Sequence, residues 1–166
     1  MKLLRTVVSV FVVLAATCAF AQSDAQKSFD KLRTLVGNWE GKASDGMPVQ
    51  VAFRETSGGS ALLSEITRPE GGHEDMVTMF HLDGARLLMT HYCGVGNQPR
   101  MVGSMSPDGK ALTFNFLDAT NVLPSQPGHM EHLTVTIVDP NHHTEAWEFA
   151  GQDGQKHQEV FDLKRK

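Results

Sequence analysis

The chain has few of the residues that usually announce a chemistry. Its 166 residues include 2 Cys, 1 Tyr and 2 Trp. Two cysteines cannot build the multi-bridge framework of a stapled miniprotein. Positive charge is scarce too, with 15 Lys+Arg against 19 Asp+Glu and a net charge of −4. No Lys/Arg block stands out, so the basic stripe that a nucleic-acid binder needs for phosphates is missing. No apolar run reaches the ~20 residues of a membrane-spanning helix. A phosphate loop, a Gly-x-Ser-x-Gly elbow and a His-Glu-x-x-His helix are all absent from the sequence. What remains, 40% hydrophobic with 15 Gly and 7 Pro, is the composition of one globular domain.

Residues 1–21 read as a segment removed before folding. Lys2 and Arg5 open it, Thr6 to Ala16 form a short apolar run, and Ala19-Phe20-Ala21 offers small residues where a signal peptidase reads. The sequence therefore predicts export, with the periplasm as the expected compartment and cleavage after Ala21. The competing reading is a lipoprotein anchored at Cys18, for which Ala15-Ala16-Thr17 is a poor match. Cleavage leaves residues 22–166 as the domain. Its only thiol is Cys93, so no internal disulfide can form.

Asp24 to Val36 carries the one helical pattern. Ser23 and Gln26 suit a capping box, Phe29, Leu32, Leu35 and Val36 share a face, and Gly37 is placed to end the helix in the αL conformation. So short a helix needs its apolar face docked, and it is expected to plug one end of a sheet. Beyond it the period becomes two. Turn signals recur at Asp45-Gly46, Gly58-Gly59, Gly71-Gly72, Asp83-Gly84, Gly94 to Asn97, Pro107-Asp108-Gly109, Pro124 to Gly128, Asp139-Pro140-Asn141 and Asp153-Gly154. Nine turns separate ten strands, and with no intervening helix the strands must alternate in direction. Val49 to Phe53, Leu112 to Phe116 and Leu133 to Ile137 alternate apolar with polar. An all-β, ten-stranded antiparallel up-and-down barrel is the expected fold, because closure removes the sheet edges. A β-sandwich is the alternative.

The helix runs into Leu35-Val36-Gly37-Asn38-Trp39-Glu40-Gly41. This stretch resembles the Gly-x-Trp motif of the calycin superfamily of lipocalins, fatty-acid-binding proteins and nitrobindin-like haem barrels, and its Gly-x-Trp-x-Gly form is most similar to the last. The resemblance implies a helix closing the barrel base. It also implies that Trp39 packs there under a cation from the last strand, supplied by Lys164 or Arg165, with Gly37 completing the closure. The helical pair that fatty-acid-binding proteins insert between their first two strands is missing. The stretch Thr90 to Met101 is also similar to one found in a group of uncharacterised bacterial secreted proteins.

That stretch is the densest polar segment, with His91, Tyr92, Cys93, Asn97, Gln98 and Arg100 around a Gly-rich turn. It reads as a ligand-contacting rim, or as polar groups that satisfy the backbone of a turn. His91 and Cys93 share a strand face, where a base could activate a thiol, which makes a thiol or hydrolytic enzyme one alternative. Eight His raise metal and haem binding, with His91 or His132 as the single axial candidate. His129-Met130-Glu131-His132 and His142-His143 invite the same question, but an i, i+3 pair on a strand faces two ways. A two-residue Asp83-Gly84 loop would pair Met79 with Leu88 and Met89 with Thr78, putting the two Met-x-His sets on opposite faces. Met76, Phe80, Leu87, Met89, His91 and Cys93 then share one face, as the wall of an adaptable apolar cavity or as packed core. With Arg100 at the rim, these are the candidate ligand-binding residues. The expected partner is a small apolar or amphipathic molecule, with haem as a possible cofactor and no catalytic residue singled out.

Overall fold

In the computed structural model, the described residues are 22–69, 76–152 and 154–166. Residues 1–21, expected from the sequence to direct export, the Gly71-Gly72 turn and Asp153 lie outside them.

A helix, α1 (Asp24–Arg33), precedes ten strands. These are β1 (Gly37–Ala43), β2 (Pro48–Thr56), β3 (Ala61–Thr67), β4 (Met76–Asp83) and β5 (Arg86–Tyr92), then β6 (Gln98–Met105), β7 (Ala111–Thr120), β8 (His129–Asp139), β9 (His142–Ala150) and β10 (Lys156–Arg165). Each strand pairs antiparallel with its sequence neighbours, and β1 pairs with β10, which closes the barrel. Ten twisted strands joined in this way leave no unpaired edge. Even-numbered strands run toward the helix and odd-numbered strands run away from it.

The helix starts as the sequence implies. Ser23 Oγ accepts from Gln26 N–H at 3.1 Å. The Gln26 side chain goes to Asp30 instead of back to Ser23, so only half of the capping box forms. Phe29 and Leu32 bury the apolar face against β4, β5 and β6. The helix stops at Arg33, earlier than Val36, because the chain tightens into i→i+3 bonds such as Leu35 N–H to Leu32 C=O at 2.9 Å. Gly37 is not the αL cap expected of it. Its φ of +136° belongs to the first residue of β1.

That glycine has another reason to be there. Arg165, at the end of β10, donates from Nη1 to Val36 C=O at 2.8 Å, from Nη2 to Thr34 C=O at 3.0 Å and from Nε to Pro140 C=O at 3.1 Å. A Cβ on Gly37 would lie 2.6 Å from Arg165 Nη1. The same guanidinium stands 4.2 Å above the centroid of Trp39, whose Nε1–H donates to Leu35 C=O at 2.7 Å. One cation thus takes up carbonyls left over at the helix end and covers the indole face. Gly41 completes the pattern: a Cβ there would sit 1.8 Å from Asp162 C=O. The three residues of Gly-x-Trp-x-Gly admit the cation, fill the floor and let β1 approach β10.

Inward positions below mid-barrel are packed. Leu62, Phe80, Leu87, Met89, Met101, Leu112, Phe114, Leu133 and Leu163 are buried, with the Phe80 and Phe114 rings 5.3 Å apart. The β4–β5 turn is Gly84-Ala85, one residue later than Asp83-Gly84, so Phe80 faces Met89 and Thr78 faces His91. A slip of two in the sum of paired numbers preserves every facing. Met89 and His91 point in, while Met79 and His81 stand on the other side. β7 departs from simple alternation. Its register against β6 shifts between Arg100 and Met101, and Phe116 and Leu117 are exposed beyond the shift.

Two substitutions test the floor. Trp39→Ala should cost ~3–5 kcal/mol of unfolding free energy in urea titrations, as for a buried large aromatic. Gly41→Ala should cost more than ~2 kcal/mol, since its methyl must push β10 away. A Gly41→Ala protein within ~0.5 kcal/mol of wild type would mean that the two strands are not so closely apposed.

Candidate functional site

The end of the barrel away from the helix holds a cavity of about 430 Å³. This lies within the range of small-molecule sites, ~300–1,000 Å³. Its walls come from strand ends that meet at this rim. β3 brings Ile66, with Arg68 just past it; β4 opens with Met76; β5 brings His91 next to its last residue and leads to Cys93 and Val95. Met130 of β8, Trp147 and Phe149 of β9, and Glu159 and Phe161 of β10 close the circle. Aromatic and thioether side chains give an apolar surface that can reshape around a guest.

Polar groups enter at two levels. At the inner level His91 is buried, with Nδ1 2.8 Å from Thr78 Oγ1 and its ring 4.7 Å from that of Trp147. Among the described residues, its Nε2 has no hydrogen-bond partner. Burial lowers the His91 pKa from 6.5 to about 4, so the ring is neutral at pH 7. At the outer level Arg68 pairs with Asp45 at 3.3 Å and approaches Glu159 at 2.9 Å, and its guanidinium carbon lies 5.6 Å from the Phe161 centroid. Among the described residues, Arg68 Nε has no acceptor, and Nη2 is close to Glu159 without the alignment of a hydrogen bond.

Below the cavity, β9 turns a polar column inward. Trp147 Nε1–H donates to Glu145 Oε2 at 3.0 Å, and His143 Nε2 lies 3.3 Å from Glu145 Oε1. His143 meets Trp39 edge-on at 4.3 Å between centroids. Glu145 and His143 are both buried, so this column links the cavity wall to the indole floor. Glu145 is a positioning residue, because its carboxylate fixes the plane of the Trp147 indole. Sequence reading passed over Glu145 and Trp147 and took His143 only as half of a His pair. The available signal was the period of two through His143, Glu145, Trp147 and Phe149.

The sequence-derived candidates divide by depth. Met76, His91 and Cys93 line the cavity, whereas Phe80, Leu87 and Met89 lie in the packed interior beneath it. Arg100 is a correction. It is exposed on the outer face and pairs with Asp118, because the neighbouring Met101 takes the inward position. The polar rim largely ties its own turns together: Asn97 Nδ2 donates to Gly128 C=O at 2.8 Å and Gln98 Nε2 to Gly96 C=O at 3.0 Å. His132 also lies apart from the cavity, with its ring nitrogens near Asn115 Oδ1 and Thr134 Oγ1. His142 pairs with Asp162 at 2.8 Å, and His129 Nδ1 lies near Pro127 C=O. His91 is committed to Thr78 and not to Cys93, whose thiol pKa is raised by burial. The thiol is thus not activated in the way a nucleophile requires.

No known family profile matches the sequence, and no curated protein does. The class defined by fold and site is a closed ten-stranded antiparallel barrel with a cavity at its open end. Solved structures share the architecture. Rv2717c from M. tuberculosis is 16% identical, covering 84% of this chain and 97% of its own at a TM-score of 0.58. A protein of unknown function from the DUF3598 family of Nostoc punctiforme PCC 73102 is 12% identical at the same TM-score, covering 81% of this chain. This chain spans 48% of that second protein.

The His91 environment predicts an acid sensitivity. The unfolded chain takes up this proton near pH 6.5, and the folded chain only near pH 4. Between those values the unfolded state binds more protons, so stability is full above 6.5 and falls as pH drops toward 4. The loss should approach ~3 kcal/mol. Urea titrations at steps between pH 7 and pH 4 should show a flatter dependence in His91→Phe than in wild type; equal slopes would mean that His91 protonates without resistance.

Proposed function

We propose that this protein is an exported, calycin-like barrel that binds one small apolar or amphipathic molecule in the cavity at its open end. The observation that carries this reading is the cavity itself, about 430 Å³ walled by Trp147, Phe149, Phe161, Met76 and Met130 in a barrel otherwise packed to its floor. A barrel of this size can be filled entirely by side chains, so a space of that volume at one end asks for a guest. Export rests on residues 1–21, with Ala21 as the cleavage position.

Haem is the second reading, because His91 lines the cavity with an unpartnered Nε2. The surrounding residues fit it poorly. Iron ligation needs Nε2 bare and Nδ1–H donating to Thr78, which would leave the buried Thr78 hydroxyl proton with no acceptor among the described residues.

A neutral apolar dye, N-phenyl-naphthylamine, distinguishes the readings. It should quench Trp147, a wall residue, and slow alkylation of Cys93, another wall residue. Trp147→Phe should remove the quenching while Cys93 remains protected. A dye that causes no quenching and gives Cys93 no protection would sink the carrier reading. Added haemin should give no Soret band that depends on His91; a band lost in His91→Phe would replace the carrier with a haem protein.

A further inference from the structure

The cavity specifies more than apolarity. His91 is held by one bond, from Nδ1 to Thr78 Oγ1 at 2.8 Å, and both residues are buried. A neutral imidazole carries one ring proton, and the network decides which nitrogen holds it. If Nδ1 donated, the Thr78 hydroxyl proton would have no acceptor among the described residues. If Thr78 donates instead, both groups of the bond are satisfied and the ring proton resides on Nε2. That N–H belongs to a residue of the cavity wall, is itself buried, and has no acceptor among the described residues. A buried donor without a partner is unfavourable, and the state that completes it is one in which a guest brings an acceptor.

The mouth sets the charge of the guest. Arg68 contributes one positive charge against two carboxylates, Asp45 at 3.3 Å and Glu159 at 2.9 Å. Among the described residues, this group of three therefore has one negative charge in excess, which disfavours an entering anion. Arg68 also lies four residues along β3 from Ser64, the residue opposite Thr78. At ~3.3 Å per residue the Arg68 backbone stands ~13 Å further up the sheet, which places the two donors at different levels of the cavity. The wall also carries the aromatic rings of Trp147, Phe149 and Phe161, with the Trp147 indole bonded to Glu145.

We infer that the guest is a neutral, flat, largely apolar molecule ending in a hydrogen-bond acceptor such as a carbonyl oxygen, which receives His91 Nε2–H at the inner end of the cavity. This deepens the carrier reading and rests on it. It separates this barrel from one that would take a fatty-acid carboxylate.

Three naphthalene probes of one shape test the inference by fluorescence titration of the whole domain. They are the ketone Prodan, dimethylaminonaphthalene without the acyl group, and the dimethylamino-naphthoate anion. Prodan should bind about tenfold more tightly than the parent amine, the margin of one hydrogen bond, and more tightly than the anion. In His91→Phe, which keeps the aromatic wall, the ratio of the Prodan affinity to that of the parent amine should fall to about one, whatever the substitution does to the amine itself. Should His91→Phe fail to fold, Thr78→Val provides the second variant. It frees Nδ1 to take the ring proton and should reduce the margin without abolishing binding of the parent amine. Binding of the naphthoate as tightly as the ketone would overturn the inference, and so would a margin that survives both substitutions. In either case binding of the parent amine would leave the carrier reading standing; failure of all three probes to bind would remove both.

Discussion

Everything in this barrel depends on β1 lying hard against β10. Closure satisfies the last row of backbone donors and acceptors, and without it two edges would face water. The approach is possible because Gly41 offers no side chain where Asp162 C=O passes. Trp39 and Arg165 are paired across this seam, so the stack of guanidinium on indole and the strand pairing reinforce each other. Arg165 also gathers the carbonyls of Thr34, Val36 and Pro140, tying the helix end and the β8–β9 turn to the same seam. The floor, the helical plug and the closure are therefore one construction.

Above that floor the interior is not uniformly apolar. His143, Glu145 and Trp147 form a column along β9, and Thr78 with His91 lies beside the Trp147 ring. Burying such groups is costly unless each finds a partner, and most of these do. The unpartnered atoms, His143 Nδ1 near the floor and His91 Nε2 at the cavity wall, mark the two ends of the network. One lies among Trp39 and Phe53; the other belongs to a residue of the cavity wall. A bonded floor beneath a partly unsatisfied wall leaves the adaptable part of the site at the rim.

Much of the architecture was legible from spacing. Glycine-bearing turns at short, regular intervals with no intervening helix leave few topologies, and the alternation in Val49 to Phe53 and Leu133 to Ile137 gave the correct inner face. The β4–β5 face survived a turn misplaced by one residue, because the slip moved both strands equally. The candidate site was less legible. Apolar-in, polar-out reasoning points the wrong way for β9, where His143 and Glu145 share the inner face with Trp147. Arg100 looked like a rim residue because it lies in a polar stretch, but parity beside Met101 turns it outward.

By itself, the sequence determined the strand number, the antiparallel order and the residues that share a face, because turn chemistry and a period of two are local properties of the chain. It also determined the helix start, since Ser23 and the residues after it act over one turn. Only the tertiary structure decided how far up the barrel each inward side chain stands. The stagger of ten strands around a closed ring sets that height, and no pair of neighbouring residues encodes it. The same stagger made Met76, His91 and Cys93 wall residues and left Phe80, Leu87 and Met89 beneath them, although all six share one face.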